Sequence, residues 1–187
     1  LKFLREITRK NSALLIFDEV ITGFRLAKGG ACEYFGIEPD LITVGKIVGG
    51  GMPLAAYGGK KEIMSYISPL GDVYQAGTLS GNPVATAAGI ATLEVLFENP
   101  DIYKRIDENT KLLADGIENI MNTNEKRVHI NRIGSLMSVF FTSQNVKSYK
   151  DVLTCDLDKY ARYYSFLREN GIYIAPSQFE AVFVSDA

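Results

Sequence analysis

Unbroken apolar runs dominate the first half of the chain, and an alternating pattern takes over in the second. The run ALLIFDEV, from Ala13, is apolar without alternation, which predicts a strand buried on both faces, as in a parallel sheet. LITVG, from Leu41, repeats that texture. The connection between them holds a Gly-Gly pair and a short helical stretch near Ala31 to Phe35, long enough for the crossover that parallel strands need. A third run, LAAYGG, starts only a few residues after Lys46. That is too soon for a crossover, so the strand is expected to run antiparallel to its predecessor. Ahead of all three, LKFLREITRK carries Leu1, Leu4 and Ile7 at helical spacing. Helices alternating with strands in this order predict an α/β sheet with helices on its faces.

Beyond Pro83 the pattern turns helical. VATAAGIATLEVLFE is Ala-rich, and after Asn99-Pro100 a second amphipathic helix is expected to reach about Met121. From Val128 short strands follow, RVHINRI and LMSVFFT, joined at Gly134. A helix over DLDKYARYYSFLREN, ended by Gly171, precedes two further strand-like runs, IYIAP and AVFVS. The tyrosines of that helix form an aromatic face expected to pack on this lobe, with Arg162 and Arg168 solvated. The second half is therefore an α+β lobe. The expected boundary lies inside the preceding helix, giving domains 1–110 and 111–187.

Composition narrows the function classes. At 187 residues the chain can bury one good core, or one core and a satellite lobe. A net charge of -2 leaves no electrostatic footprint for nucleic acid. Cys32 and Cys155 are too few and too far apart for a disulfide framework or a zinc site, and no metal is expected. No apolar run has the length of a membrane span. These features point to a cytoplasmic protein with neither nucleic-acid nor membrane partners. The opening helix has no capping residue in front of it, so the chain is expected to be part of a longer one.

Asp18 stands where LLIF meets solvent, and Lys46 stands at the same place after LITVG. In open α/β sheets ligands lie outside the carboxyl ends of the strands, so parallel neighbours ending in Asp and Lys aim both groups into one crevice. An ordinary salt bridge between the two is the simpler alternative. Glycines 49, 50 and 51 let backbone approach a flat ligand or another chain closely, or simply form a flexible turn. GTLSGNP, from Gly77, offers the hydroxyls of Thr78 and Ser80 and exposed backbone N–H groups that can hold a phosphate at a helix N-terminus. The same residues also read as a helix start, with Ser80 or Asn82 as N-cap and Pro83 in the first turn. An amine, a carboxylate and a phosphate-holding turn together are what pyridoxal phosphate chemistry requires. His129, the only histidine, falls in a strand-like run and reads as structural.

FDEVITGFR, DLITVGKIVGGGMPLAAYGG and YQAGTLSGNPVATAAG closely resemble the class III aminotransferases, of the fold type I pyridoxal-phosphate enzymes, and PSQFEAVFVS is similar to the corresponding segment of one enzyme in that family. The resemblance spans nearly the whole chain. It implies a mostly parallel large domain followed by a smaller α+β domain, with pyridoxal 5'-phosphate as cofactor. Lys46 would hold the cofactor covalently, Asp18 would pair with its ring nitrogen, and Val20 would pack on one ring face. Gly77 and Thr78 would reach the phosphate of a cofactor bound mainly by the partner subunit, so the resemblance implies a homodimer with a shared active site. Glu180 would help select a small-molecule substrate. A plant member would reside in the plastid. Family members are longer, and the resemblance implies that the main phosphate-gripping turn and a ring-stacking aromatic belong to residues outside these.

Overall fold

The computed structural model describes residues 1–124 and 127–186, apart from the side chain at 122. Internal packing divides the chain into two units, Leu1–Pro100 and Asp101–Ala187. The expected division after residue 110 falls inside a helix that the packing groups wholly with the second unit.

The first unit contains α1 (Lys2–Lys10), β1 (Ile16–Glu19), α2 (Gly30–Phe35), β2 (Leu41–Val44), β3 (Ala56–Gly59), α3 (Lys61–Met64) and α4 (Pro83–Glu98). The three strands form one sheet in the order β1-β2-β3. β1 and β2 are parallel, with Ile16 opposite Leu41 and Asp18 opposite Thr43. β3 returns antiparallel, with Leu41 opposite Gly59, as its short connection requires. Within these 187 residues Ile16 of β1 is 56% exposed. In the order β1-β2-β3 of the described residues β1 stands at one end, with the burial pattern exposed, intermediate, exposed, buried.

At the start of β2 a buried cluster ties three elements together. The Asp40 carboxylate accepts from Arg5 Nη1 of α1 at 2.8 Å, from Lys60 Nζ at 2.5 Å and from the Leu15 backbone N–H at 2.8 Å. The Leu15 N–H and the two cations hold this carboxyl well below the usual carboxylate range. α4 begins as its sequence predicts. Pro83 fills the first turn, and of the two expected caps it is Asn82 that serves, accepting from the N–H groups of Val84 (3.1 Å) and Ala85 (3.0 Å).

The second unit contains α5 (Ile102–Thr123), β4 (His129–Ile133), β5 (Leu136–Phe140), α6 (Tyr149–Val152), α7 (Leu157–Glu169) and β6 (Val182–Phe183). Its antiparallel sheet has the order β4-β5-β6. Alternation along β5 sends Met137 and Val139, followed by Phe141, into a core with Ala114 of α5 and Tyr160 of α7. Phe140 faces a smaller cluster with Val146 and Cys155. The tyrosine face of α7 packs as expected: Tyr160, Tyr163 and Tyr164 all join the larger core. IYIAP does not form a strand. Tyr173 is 85% exposed, and the Ala175 carbonyl accepts from the Tyr160 hydroxyl at 2.8 Å instead of from a strand neighbour. Among the described residues, no helix is long and apolar enough to cross a membrane.

Candidate functional site

The parallel register of β1 and β2 sets their carboxyl ends side by side, with Glu19 opposite Val44. Asp18 is exposed there. One of its oxygens, Oδ1, accepts from the Val20 backbone N–H at 3.0 Å and from the Thr43 hydroxyl at 3.4 Å. The other oxygen has no protein partner among the described residues. Two residues beyond β2 the chain enters a single 3-10 turn, Lys46–Gly49. Lys46 opens it with φ +50°, a left-handed conformation that non-glycine residues rarely adopt. Such positions cost about 1–3 kcal/mol and persist only where the surroundings enforce them. Here the turn is held from behind by the buried Val48 and Gly49.

Lys46 is exposed, and no ion pair joins it to Asp18 among the described residues. The salt-bridge alternative is therefore not realised. Both groups remain open to a ligand at the strand ends.

Of the three glycines, Gly50 has a use that the structure makes plain. Gly50 has φ +56°, and a Cβ there would meet Thr92 Oγ1 and stand 2.8 Å from the Ala88 carbonyl oxygen. The clearance is for α4, which packs directly on the 3-10 turn.

A cleft of about 630 Å³ adjoins the strand ends and is lined by Val20, Thr43, Tyr57, Gln75, Gly77 and Ser80 among others. It brings Val20 and Gly77 to one space. Thr78 is exposed between the lining residues Gly77 and Leu79. The segment is a tight turn: Ser80 N–H donates to the Gly77 carbonyl at 2.9 Å, and Asn82 N–H to the Leu79 carbonyl at 3.1 Å. Because Asn82 already occupies the first amides of α4, the helix terminus has none of those donors to spare. What the turn offers an anion is the exposed backbone of 77–79 and the hydroxyls of Thr78 and Ser80.

Glu180 belongs to the second unit, in an exposed bend where its N–H donates to the Ser177 carbonyl at 3.1 Å. His129 is on β4, with its Nε2 2.9 Å from Asn131 Oδ1.

Residue-by-residue reading overlooked Glu19, which is 2% exposed between Asp18 and Val20. Burial alone would raise its pKa, but the Thr22 hydroxyl, the Cys32 thiol and the N–H groups of Ala31 and Cys32 outweigh that and lower it. Burial and the adjacent Glu19 carboxylate push the Cys32 thiol up to about 12. The signal in the sequence was a second acid placed directly beside Asp18 in an otherwise apolar strand.

These residues fit pyridoxal phosphate. An amine with no ion pair among the described residues and a carboxylate with one oxygen free of them stand at neighbouring strand ends. Val20 supplies an apolar wall of the cleft, and the turn at 77–80 supplies donors for a phosphate.

The family model described as aminotransferase class-III matches residues 1–186. A glutamate-1-semialdehyde 2,1-aminomutase of Ruminiclostridium cellulolyticum is 55% identical over 100% of this chain and 43% of its own length. The chain thus spans less than half the length of that relative. A solved β-phenylalanine aminotransferase from Variovorax paradoxus superposes with a TM-score of 0.89 at 33% identity, covering 98% of this chain and 42% of the other. A solved glutamate-1-semialdehyde aminomutase from Pseudomonas aeruginosa, in complex with PMP, gives 0.83 at 24% identity over 97% of this chain and 42% of the other, a likeness of fold.

Proposed function

Because the chain belongs to the class-III aminotransferase family, we propose that it forms the lysine-bearing part of a pyridoxal-phosphate-dependent aminomutase that converts glutamate-1-semialdehyde to 5-aminolevulinate for tetrapyrrole biosynthesis. The observation that carries this reading is the 55% identity, along the whole chain, to an aminomutase. Backbone likeness alone does not separate the activities, since a β-phenylalanine aminotransferase superposes at 0.89 and an aminomutase at 0.83.

Lys46 holds the cofactor covalently, and its amine, once released, carries a proton between neighbouring carbons of the substrate. Its turn is left-handed, and among the described residues no ion pair engages that amine. Asp18 sets a negative charge against the ring nitrogen, with Oδ1 anchored by the Val20 N–H and the Thr43 hydroxyl. Val20 packs on one ring face, and Gly77 with Thr78 reaches the phosphate of the partner subunit's cofactor in a homodimer with shared sites. Glu180 takes part in substrate selection. Pyridoxal phosphate, when bound, supplies an electron-withdrawing ring that stabilises negative charge on the substrate carbon beside the nitrogen. Residues 1–110 would complete the large cofactor domain and 111–187 the small domain. We place the enzyme in the cytoplasm, or in the plastid for a plant source.

The test is to give the full-length protein glutamate-1-semialdehyde with no keto acid. Aminolevulinate should appear, because an intramolecular transfer needs no acceptor. Product formed only after a keto acid is added would instead identify a class III transaminase acting on an ω-amino acid. A third reading, a non-catalytic dimerisation segment, is tested by borohydride reduction with pyridoxal phosphate and peptide mapping. An adduct on Lys46 rules that reading out.

A further inference from the structure

Glu19 stands between the two residues that face the cofactor, yet its side chain points the other way. Asp18 on β1 is exposed, Val20 just beyond the strand lines the cleft, and Glu19 between them is 2% exposed. Its carboxylate accepts from the Thr22 hydroxyl at 2.6 Å, the Ala31 N–H at 2.8 Å and the Cys32 N–H at 2.8 Å. Its backbone carbonyl accepts from the Gly23 N–H at 2.8 Å, closing the turn that follows Val20. Gly30, at φ +68°, lacks the Cβ that would stand 2.5 Å from Glu19 Oε2, so the loop is shaped around this one side chain.

We infer that Glu19 is a positioning residue: by clamping the end of β1 to the segment 22–32 from behind, it fixes where Asp18 stands at the strand end and where Val20 stands in the adjoining cleft. This rests on the cofactor reading above. A carboxylate suits the task better than an apolar residue, because the Thr22 hydroxyl, the Cys32 thiol and two backbone N–H groups converge on it and tie the strand end to the loop. Val20 also supplies, through its N–H, the bond that orients Asp18 Oδ1. A shift of the strand end therefore moves the carboxylate and the ring-packing side chain together.

The experiment uses the full-length protein loaded with pyridoxal phosphate and compares wild type, Glu19→Gln and Asp40→Asn, the last being a destabilised variant altered far from the cleft-facing pair. Three quantities are read: melting temperature, the Lys46 adduct after borohydride reduction, and the pH midpoint of the bound cofactor's visible absorption. Both variants should melt lower and both should be reduced at Lys46. Only Glu19→Gln should move the midpoint, by about half a pH unit or more, because a displaced Asp18 no longer faces the ring at the same distance. A midpoint equal in all three proteins makes Glu19 a fold anchor only and overturns the inference. An absent adduct in wild type overturns the cofactor reading and this inference with it, and that result is distinguished by the wild-type arm alone. If Glu19→Gln does not fold, Thr22→Val removes one of the donors and replaces it in the comparison. A smaller shift in the same direction then supports the role, and an unmoved midpoint refutes it.

Discussion

Strand β2 has an aspartate–lysine pair near each end, and the two pairs behave in opposite ways. At its start, Asp40 and Lys60 are in contact at 2.5 Å, with Arg5 on the same carboxylate at 2.8 Å. At its far end, Asp18 and Lys46 are both exposed and make no ion pair with each other. Residue types and strand-end positions are alike; burial and partners are not. The Asp40 cluster is closed, because its carboxylate is satisfied from three sides and its stabilising effect lies in joining α1, β2 and the end of β3. The Asp18–Lys46 end is open, with spare hydrogen-bonding capacity and a lysine held in a strained backbone conformation. Strain together with unused polar capacity marks a site, whereas satisfied polarity marks a joint.

Substitutions at the two ends should separate these roles. Lys46→Ala should lower the activity of the full-length protein by about a thousandfold or more while moving its melting temperature by no more than about 2 °C. Retained turnover would place the chemistry elsewhere. Asp40→Asn should do the reverse. It leaves the Arg5 charge buried without its counter-ion and should cost about 3 kcal/mol in urea unfolding at neutral pH, with little change in the activity of the protein that remains folded.

The same cluster has a pH signature. Asp40 has a folded pKa depressed below its unfolded value, so its contribution is fully present above the ordinary carboxylate range. It is lost as pH falls through about 4 and below toward the folded value. The stability gap between wild type and Asp40→Asn should accordingly stay constant above about pH 5 and narrow in more acid solution. A gap that does not change with pH would mean that the carboxylate is not preferentially ionised in the fold.

The smallest effect concerns the strain at Lys46. Lys46→Gly should be more stable than Lys46→Ala by about 0.5 kcal/mol, since glycine accepts φ +50° but adds entropy to the unfolded chain. Equal or reversed urea midpoints would show that the left-handed turn stores no strain.

Much of the fold was legible from the apolar pattern. The crossover between two parallel strands, the antiparallel return of β3, the Asn82–Pro83 start of α4 and the β4–β5 hairpin at Gly134 all follow from local signals. The pattern misled where burial depends on what lies beside an element. IYIAP reads as a strand, yet Tyr173 is 85% exposed and the Ala175 carbonyl is taken by Tyr160. Of the site, Asp18 and Lys46 were legible because both follow an apolar run directly. The clearance at Gly50 was not, since the helix it clears lies some forty residues further on, at Ala88 and Thr92.

By itself, the sequence determined the order and type of most elements, the placement of an acid and an amine at neighbouring strand ends, and membership of the class-III aminotransferase family. These are set by spacing and residue type within short windows, where local backbone preference and apolar periodicity act. Only the tertiary structure decided which aspartate is locked and which is open, and that Glu19 is buried behind the pair it separates. Those outcomes depend on partners 12 to 35 residues away, Ala31 for Glu19 and Arg5 for Asp40, which only chain pairing brings within hydrogen-bonding distance.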